Sequence, residues 1–429
     1  LSVLRKLAVA AAVLAGVVGV LLVLMIDTSA SVKSSASEQI GDADTVNHLL
    51  NQIQTSISDR HNQHTIKVSQ KQVASLVGFV QRAAPYIRGN VDIASQHSQL
   101  QASMALPVFA GHLYINVDMR ILPDDKFTID YIEIGNLYIP GGLAVGLVEH
   151  AINIWTDSDI GTQARQQISR VSMQPEEVAV TVEPMDRFLR ELNEVRSGLG
   201  NDSGDELTEL TGYYLRYIAG RELALKKKPQ PFHLYLRQIM ARAREQSNQD
   251  NVLMHNKAAV LALSIFIGHH RIANFVGDVQ PDIEHALKPA APPLLRGRND
   301  LAKHFIISAA LKMLSEQDVT FAIGEFKELM DRGMGGSGYS FVDLTADLAG
   351  LELARVLGDP ETALATQNAL ASAADEGVYM PTIEGLTEGL SKQEFDRRYE
   401  KVDSEAYLNE VARIKARLSQ IPLYQQATE

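Results

Sequence analysis

Residues 298–350 read RNDLAKHFIISAALKMLSEQDVTFAIGEFKELMDRGMGGSGYSFVDLTADLAG, and this stretch decides how the second half of the chain folds. Residues 301–314 and 341–357 are apolar almost all round, the signature of helices buried within a larger bundle. In the first segment the polar exceptions are Asp300, His304, Ser308 and Lys312, which step by four and form one slowly drifting stripe. In the second, Asp343, Asp347, Gly350 and Ala354 share a face, so two carboxylates are followed by two small residues that admit a neighbouring helix. Between them, residues 319–330 are amphipathic, with Glu328 almost opposite the apolar face and Glu325 on its flank. A glycine-rich turn follows, and Ser340 is placed to cap the next helix.

Working outward, strand signals largely disappear after Tyr213, and residues 206–429 are expected to form a mostly α-helical domain. Helices are predicted over 213–225, 232–246, 252–267, 301–314, 319–330, 341–357, 360–374 and 392–418. The Gly, Ser and acidic residues of 197–205 mark the domain boundary, with 184–205 read as a helix and linker. Upstream, 65–183 is expected to be an α+β domain. Its antiparallel sheet has strands near 90–94, 100–108, 112–121, 127–139 and 178–182, with helices near 68–82, 143–155 and 163–170. Ser69 is positioned as the N-cap of the first of these helices.

Residues 27–64 are rich in Ser, Asn, Gln and Asp and read as a polar stalk. Before them, Arg5 and Lys6 precede an apolar run over 7–26, about the 20 residues needed to cross a bilayer. Basic residues before that run predict one transmembrane helix, with residues 1–26 as cytoplasmic start and anchor. The expected location is therefore the bacterial inner membrane, single-pass, with the bulk of the chain periplasmic. A cleaved signal peptide is the competing reading, since Ser29 and Ala30 offer a cleavage site.

The 40 basic and 52 acidic residues give a formal net charge of −12, which argues against a nucleic-acid partner. Cysteine is absent, which removes disulfides, thiolate metal sites and thiol nucleophiles. There is no Gly-x-Ser-x-Gly elbow, no His-Glu-x-x-His helix and no phosphate loop. The candidate site is the set Asp300, His304, Glu328, Asp343 and Asp347, with Asp300 expected to orient His304. His269 and His270 are further contributors only if their helix has ended, because adjacent helical side chains point about 100° apart. Whether the chain takes a cofactor or holds a metal is left open.

Two readings of that set stand side by side. A buried ion network that fixes helix register suits a scaffold or binding protein of the cell envelope, with other envelope proteins as partners. Carboxylates beside a histidine also suit a hydrolase of glycan, peptidoglycan or lipid, acting by acid–base chemistry or with a divalent ion. The order Asp300–His304–Phe305, then Gly324–Lys327–Glu328–Asp331, then Gly336–Ser340–Asp343–Asp347–Gly350 resembles a group of uncharacterised bacterial envelope proteins. The segment Ile132-Glu-Ile-Gly-Asn-Leu-Tyr-Ile-Pro-Gly-Gly142 is similar to segments of bacterial membrane-anchored proteins of unknown role. Neither resemblance carries a known reaction.

Overall fold

The structure is a computed structural model that describes the chain except residues 1–15, 17–18, 60, 107–112, 157, 190, 193–201, 278, 280–285, 315–326, 328–335 and 426–429. It divides into two compact units, Leu1–Leu199 and Gly200–Glu429.

No helix among the described residues is long and apolar enough to cross a membrane, so the transmembrane helix expected over 7–26 is not supported. Most of 7–18 lies outside the described residues. The described end of the run leaves the helical conformation after Leu24, because its backbone is recruited by the neighbouring sheet. Asn136 N donates to Leu24 O at 2.7 Å, and Asp27 and Tyr114 exchange backbone hydrogen bonds at 2.8 Å. The single-pass inner-membrane location with a periplasmic body rested on that anchor and falls with it.

In the first unit the principal helices are α1 (Val46–Ser58), α2 (Gln70–Ala83), α3 (Gly141–Thr156) and α4 (Ile160–Gln166). Among the described residues eight strands run β1 (His64–Ser69), β2 (Ile87–Ile93), β3 (Ser98–Ala105), β4 (Tyr114–Leu122), β5 (Thr128–Ile134), β6 (Leu137–Pro140), β7 (Ile168–Gln174) and β8 (Glu177–Val182). They form two antiparallel sheets rather than one. One is a five-stranded meander, β2-β3-β4-β5-β6, and the other has the order β1-β8-β7. The helix expected over 163–170 ends at Gln166, and the chain turns into β7, where Val171 is buried while its neighbours Arg170 and Ser172 are exposed. That period of two is a strand signature.

Residues 27–64, polar by composition, nonetheless bury Val32, Ile40, Ala43 and Val46. Ser69 opens α2 with a full capping box: its hydroxyl accepts from Gln72 N, and the Gln72 side chain accepts from Ser69 N. Helix α3 is apolar on its outward side too, with Leu147 57% and Trp155 73% exposed.

The second unit is helical: α5 (Asp202–Ala219), α6 (Phe232–Gln246), α7 (Val252–Leu263), α8 (Asn299–Leu314), α9 (Phe341–Gly358), α10 (Ala363–Ala371), α11 (Lys392–Tyr399) and α12 (Glu405–Leu418). In α6 the buried residues Phe232, Tyr235, Leu236, Ile239, Met240 and Ala243 follow the helical period. Helix α9 is the central element, buried from Phe341 to Gly350 without interruption. An aromatic cluster of Tyr339, Phe341, Phe395, Tyr399 and Tyr407 packs around its N-terminus.

The single helix expected over 392–418 is two helices. Glu400 and Asp403 adopt positive φ values of 60° and 68°, and Ser404 caps the second helix by accepting from Tyr407 N. The helix expected over 319–330 lies outside the described residues, Lys327 excepted.

Candidate functional site

Helices α8 and α9 lie side by side because both present small or apolar residues at their contact. A Cβ on Gly350 would sit 2.1 Å from Phe305 O and 3.1 Å from Ala309 N, so only glycine permits this approach. With the backbones that close, the polar residues one and two turns nearer the start of α9 are pressed against the stripe of α8.

His304 is the centre of the resulting cluster. Its Nδ1 lies 3.1 Å from Asp347 Oδ1 and 3.2 Å from Oδ2. Its Nε2 faces Asp343 Oδ2 at 3.9 Å. Ser308, one turn along α8, donates to Asp347 Oδ1 at 2.7 Å. The His304, Asp343 and Asp347 side chains are only 10%, 7% and 4% exposed. Asp343 is also held from behind, where its N–H donates to the Ser340 cap at 3.0 Å.

A second layer is more open. Arg298 Nη2 donates to Asp343 Oδ1 at 3.2 Å, and the same guanidinium binds Asp300 and Glu388. Asp300 therefore pairs with Arg298, and the group that orients His304 is Asp347 on the neighbouring helix. Asp300 and Glu388 are 48% and 51% exposed, so the cluster has a sequestered floor and a solvated rim. Lys327 adds positive charge near both His304 and Asp343. Glu328 lies outside the described residues.

The electrostatics follow from this layering. Burial is the largest influence on His304 and pushes it down, but the adjoining Asp347 and the nearby Asp343 outweigh it and hold the imidazole up to about 9. At neutral pH His304 is thus a cation between two carboxylates. Burial raises Asp343, with His304 and Arg298 opposing. Asp300 moves the other way, lowered first by its hydrogen bond from Arg298.

Sequence reasoning named Asp300, His304, Asp343 and Asp347, and all four belong to this one cluster. It missed Arg298 and Glu388, and it placed Ser308 in the stripe without a role. Glu388 arrives from a loop ninety positions away from Arg298. That loop is docked by the Tyr339–Leu390 bridge, where Gly338, at φ +85°, packs its backbone on Gly389. No sequence signal announces such a pairing. Among the described residues, no group of three or more His, Asp or Glu is arranged to hold a metal ion.

His269 and His270 lie elsewhere. The helical run ends at Gly268, His269 is extended, and the two rings stack at 4.5 Å. They line a cavity of about 390 Å³ together with Lys288, Asn299 and Lys303.

No protein-family model matches the chain, and no characterised protein or solved structure resembles it significantly.

Proposed function

We propose that the second unit is a binding or scaffolding module in which the His304 cluster is an ion network locking α8 to α9. One observation carries this reading: both ring nitrogens of His304 face carboxylates in a nearly sealed site. An imidazole held as a cation up to about 9 has no lone pair to offer as a base at neutral pH. Its work is then to neutralise two aspartates that would otherwise repel each other within the core. The cavity beside His269, His270, Lys288 and Lys303 is where such a module would receive a ligand, and its cationic lining suits an anionic one. Replacing Asp347 by Asn tests the network role. It should lower unfolding stability by about 3–5 kcal/mol, as breaking a buried ion pair does. A variant as stable as the parent would remove the basis for this reading.

A second reading is favoured by the opposite displacement of Asp343 and Asp300 around Arg298. One carboxyl that holds its proton more tightly than usual beside one that releases it more readily is the asymmetry from which acid–base hydrolysis of a glycan or lipid starts. Under it, Asp343→Asn should abolish hydrolysis of the glycan or lipid tested while leaving the thermal midpoint almost unchanged. Loss of stability with no hydrolysis by the parent protein would return the cluster to its structural role.

A further inference from the structure

We propose that the first unit carries a site for a long hydrocarbon chain with an anionic head, a slot running between the five-stranded sheet and the helices α2 and α3. The sheet supplies its floor. Leu100 pairs with Met119, Ala102 with Val117, and Met119 with Ile132, and directly opposed residues of an antiparallel ladder point to the same side. One apolar stripe therefore crosses β3, β4 and β5.

Two cavities lie on that stripe. The first, an open groove of about 380 Å³, is lined by Val73, Leu76 and Val77 of α2 and by Leu100, Val117 and Met119. The second, also open and about 380 Å³, is lined by Val145, Val148 and Ile152 of α3 and by Met119, Ile129 and Ile132. Met119 lines both, so they meet at the centre of the sheet. Each has more than twice the roughly 150 Å³ of an engineered apolar cavity that takes benzene. Each also falls within the roughly 300–1,000 Å³ range of ligand pockets.

The packing gives the same indication. Leu100, Val117, Met119 and Ile132 are only half-buried beside the helices, whereas the core of the second unit is sealed. An apolar sheet face that is flanked by helices but not filled forgoes the contacts that normally stabilise a core. A flexible alkyl chain would restore them along both cavities.

The head is specified at one end. A third cavity of about 380 Å³ shares Phe127, Ile129, Val145, Glu149 and Arg165 with the second and adds Lys126 to its lining. Arg165 is already paired with Glu149 at 2.7 Å. Lys126 is exposed at the mouth and is the cation that would meet a carboxylate or phosphate.

The test uses the full chain and cis-parinaric acid, a fluorescent fatty acid, below its micellar concentration. Saturable binding is expected, and hexadecanoic acid should displace the probe at least tenfold better than octanoic acid, a comparison that needs no variant. Met119→Trp, which fills the junction, should weaken binding at least tenfold. Lys126→Glu should weaken binding of the acid but not of its methyl ester. Mass spectrometry after incubation with phosphatidylglycerol vesicles, or with free fatty acid, identifies the source: recovered diacyl lipid points to a lipid, recovered acid alone to the free acid. Absence of saturable binding, equal displacement by the two acids, or a folded Met119→Trp protein that binds like the parent would overturn the proposal.

Discussion

His304 Nδ1 and Asp347 Oδ1 stand 3.1 Å apart across the α8–α9 contact, and this pair ties two helices whose residues are 43 positions apart in the chain. Asp347 also accepts from Ser308, so one buried carboxylate serves two donors of α8. Asp347→Asn should therefore do more than destabilise. It should let the imidazole proton be lost at a lower pH, because Asp347 is the largest influence holding it up. Nuclear magnetic resonance titration of His304 in the parent and the variant checks this, and identical midpoints would refute it.

Stability should fall as pH rises from about 6.5 through about 9. A group whose folded pKa lies above its unfolded value binds its proton more tightly when folded, so its contribution is complete below 6.5 and gone above about 9. At about 1.36 kcal/mol per pH unit, the loss is about 3 kcal/mol. Asp343, also raised, acts in the same sense but from its usual carboxylate range upward. Lys327 opposes the protonated imidazole, and both aspartates favour it. Urea unfolding between pH 6 and 9.5 should show the slope in the parent, and His304→Gln should flatten it.

Ser308→Ala leaves Asp347 with one donor fewer in a buried setting and should cost about 1–3 kcal/mol. Equilibrium denaturation resolves a change of that size. A neutral result would mean that water replaces the hydroxyl.

Gly350→Ala adds one methyl group where the Phe305 carbonyl already stands. The obstacle is backbone, so neither helix can yield by rotating a side chain. Overpacking of this kind costs about 1–3 kcal/mol and should also weaken the His304–Asp347 contact. A lower thermal midpoint together with a lowered His304 pKa is expected. A stability loss without any change at His304 would separate the two features.

Ser69→Ala removes the α2 capping box and should cost about 1 kcal/mol. Thermal unfolding of the full chain reports it, and Ser69→Asn should recover most of the loss.

The helical period, the caps at Ser69 and Ser340, and the stripe containing His304 were legible because each depends on residues within one or two turns. The break at 400–404 was less so. Its positive-φ positions are Glu400, which does not advertise a left-handed turn, and Asp403, which tolerates one but is common elsewhere too. Likewise β7 reads ambiguously by itself, since a short segment with few apolar residues becomes a strand by pairing with β8.

By itself, the sequence determined local geometry: which segments coil, where they are capped, and which residues of α8 and α9 share a face. Tertiary structure alone decided the partners. Asp347 orients His304, Arg298 takes Asp300 and Glu388, the strands divide into two sheets, and the apolar run near the start leaves the helix at Leu24 to meet the sheet. The physical reason is range. Backbone preference and periodicity act over a few residues, whereas a buried charge is satisfied by whichever group the packing of distant segments brings within about 3 Å.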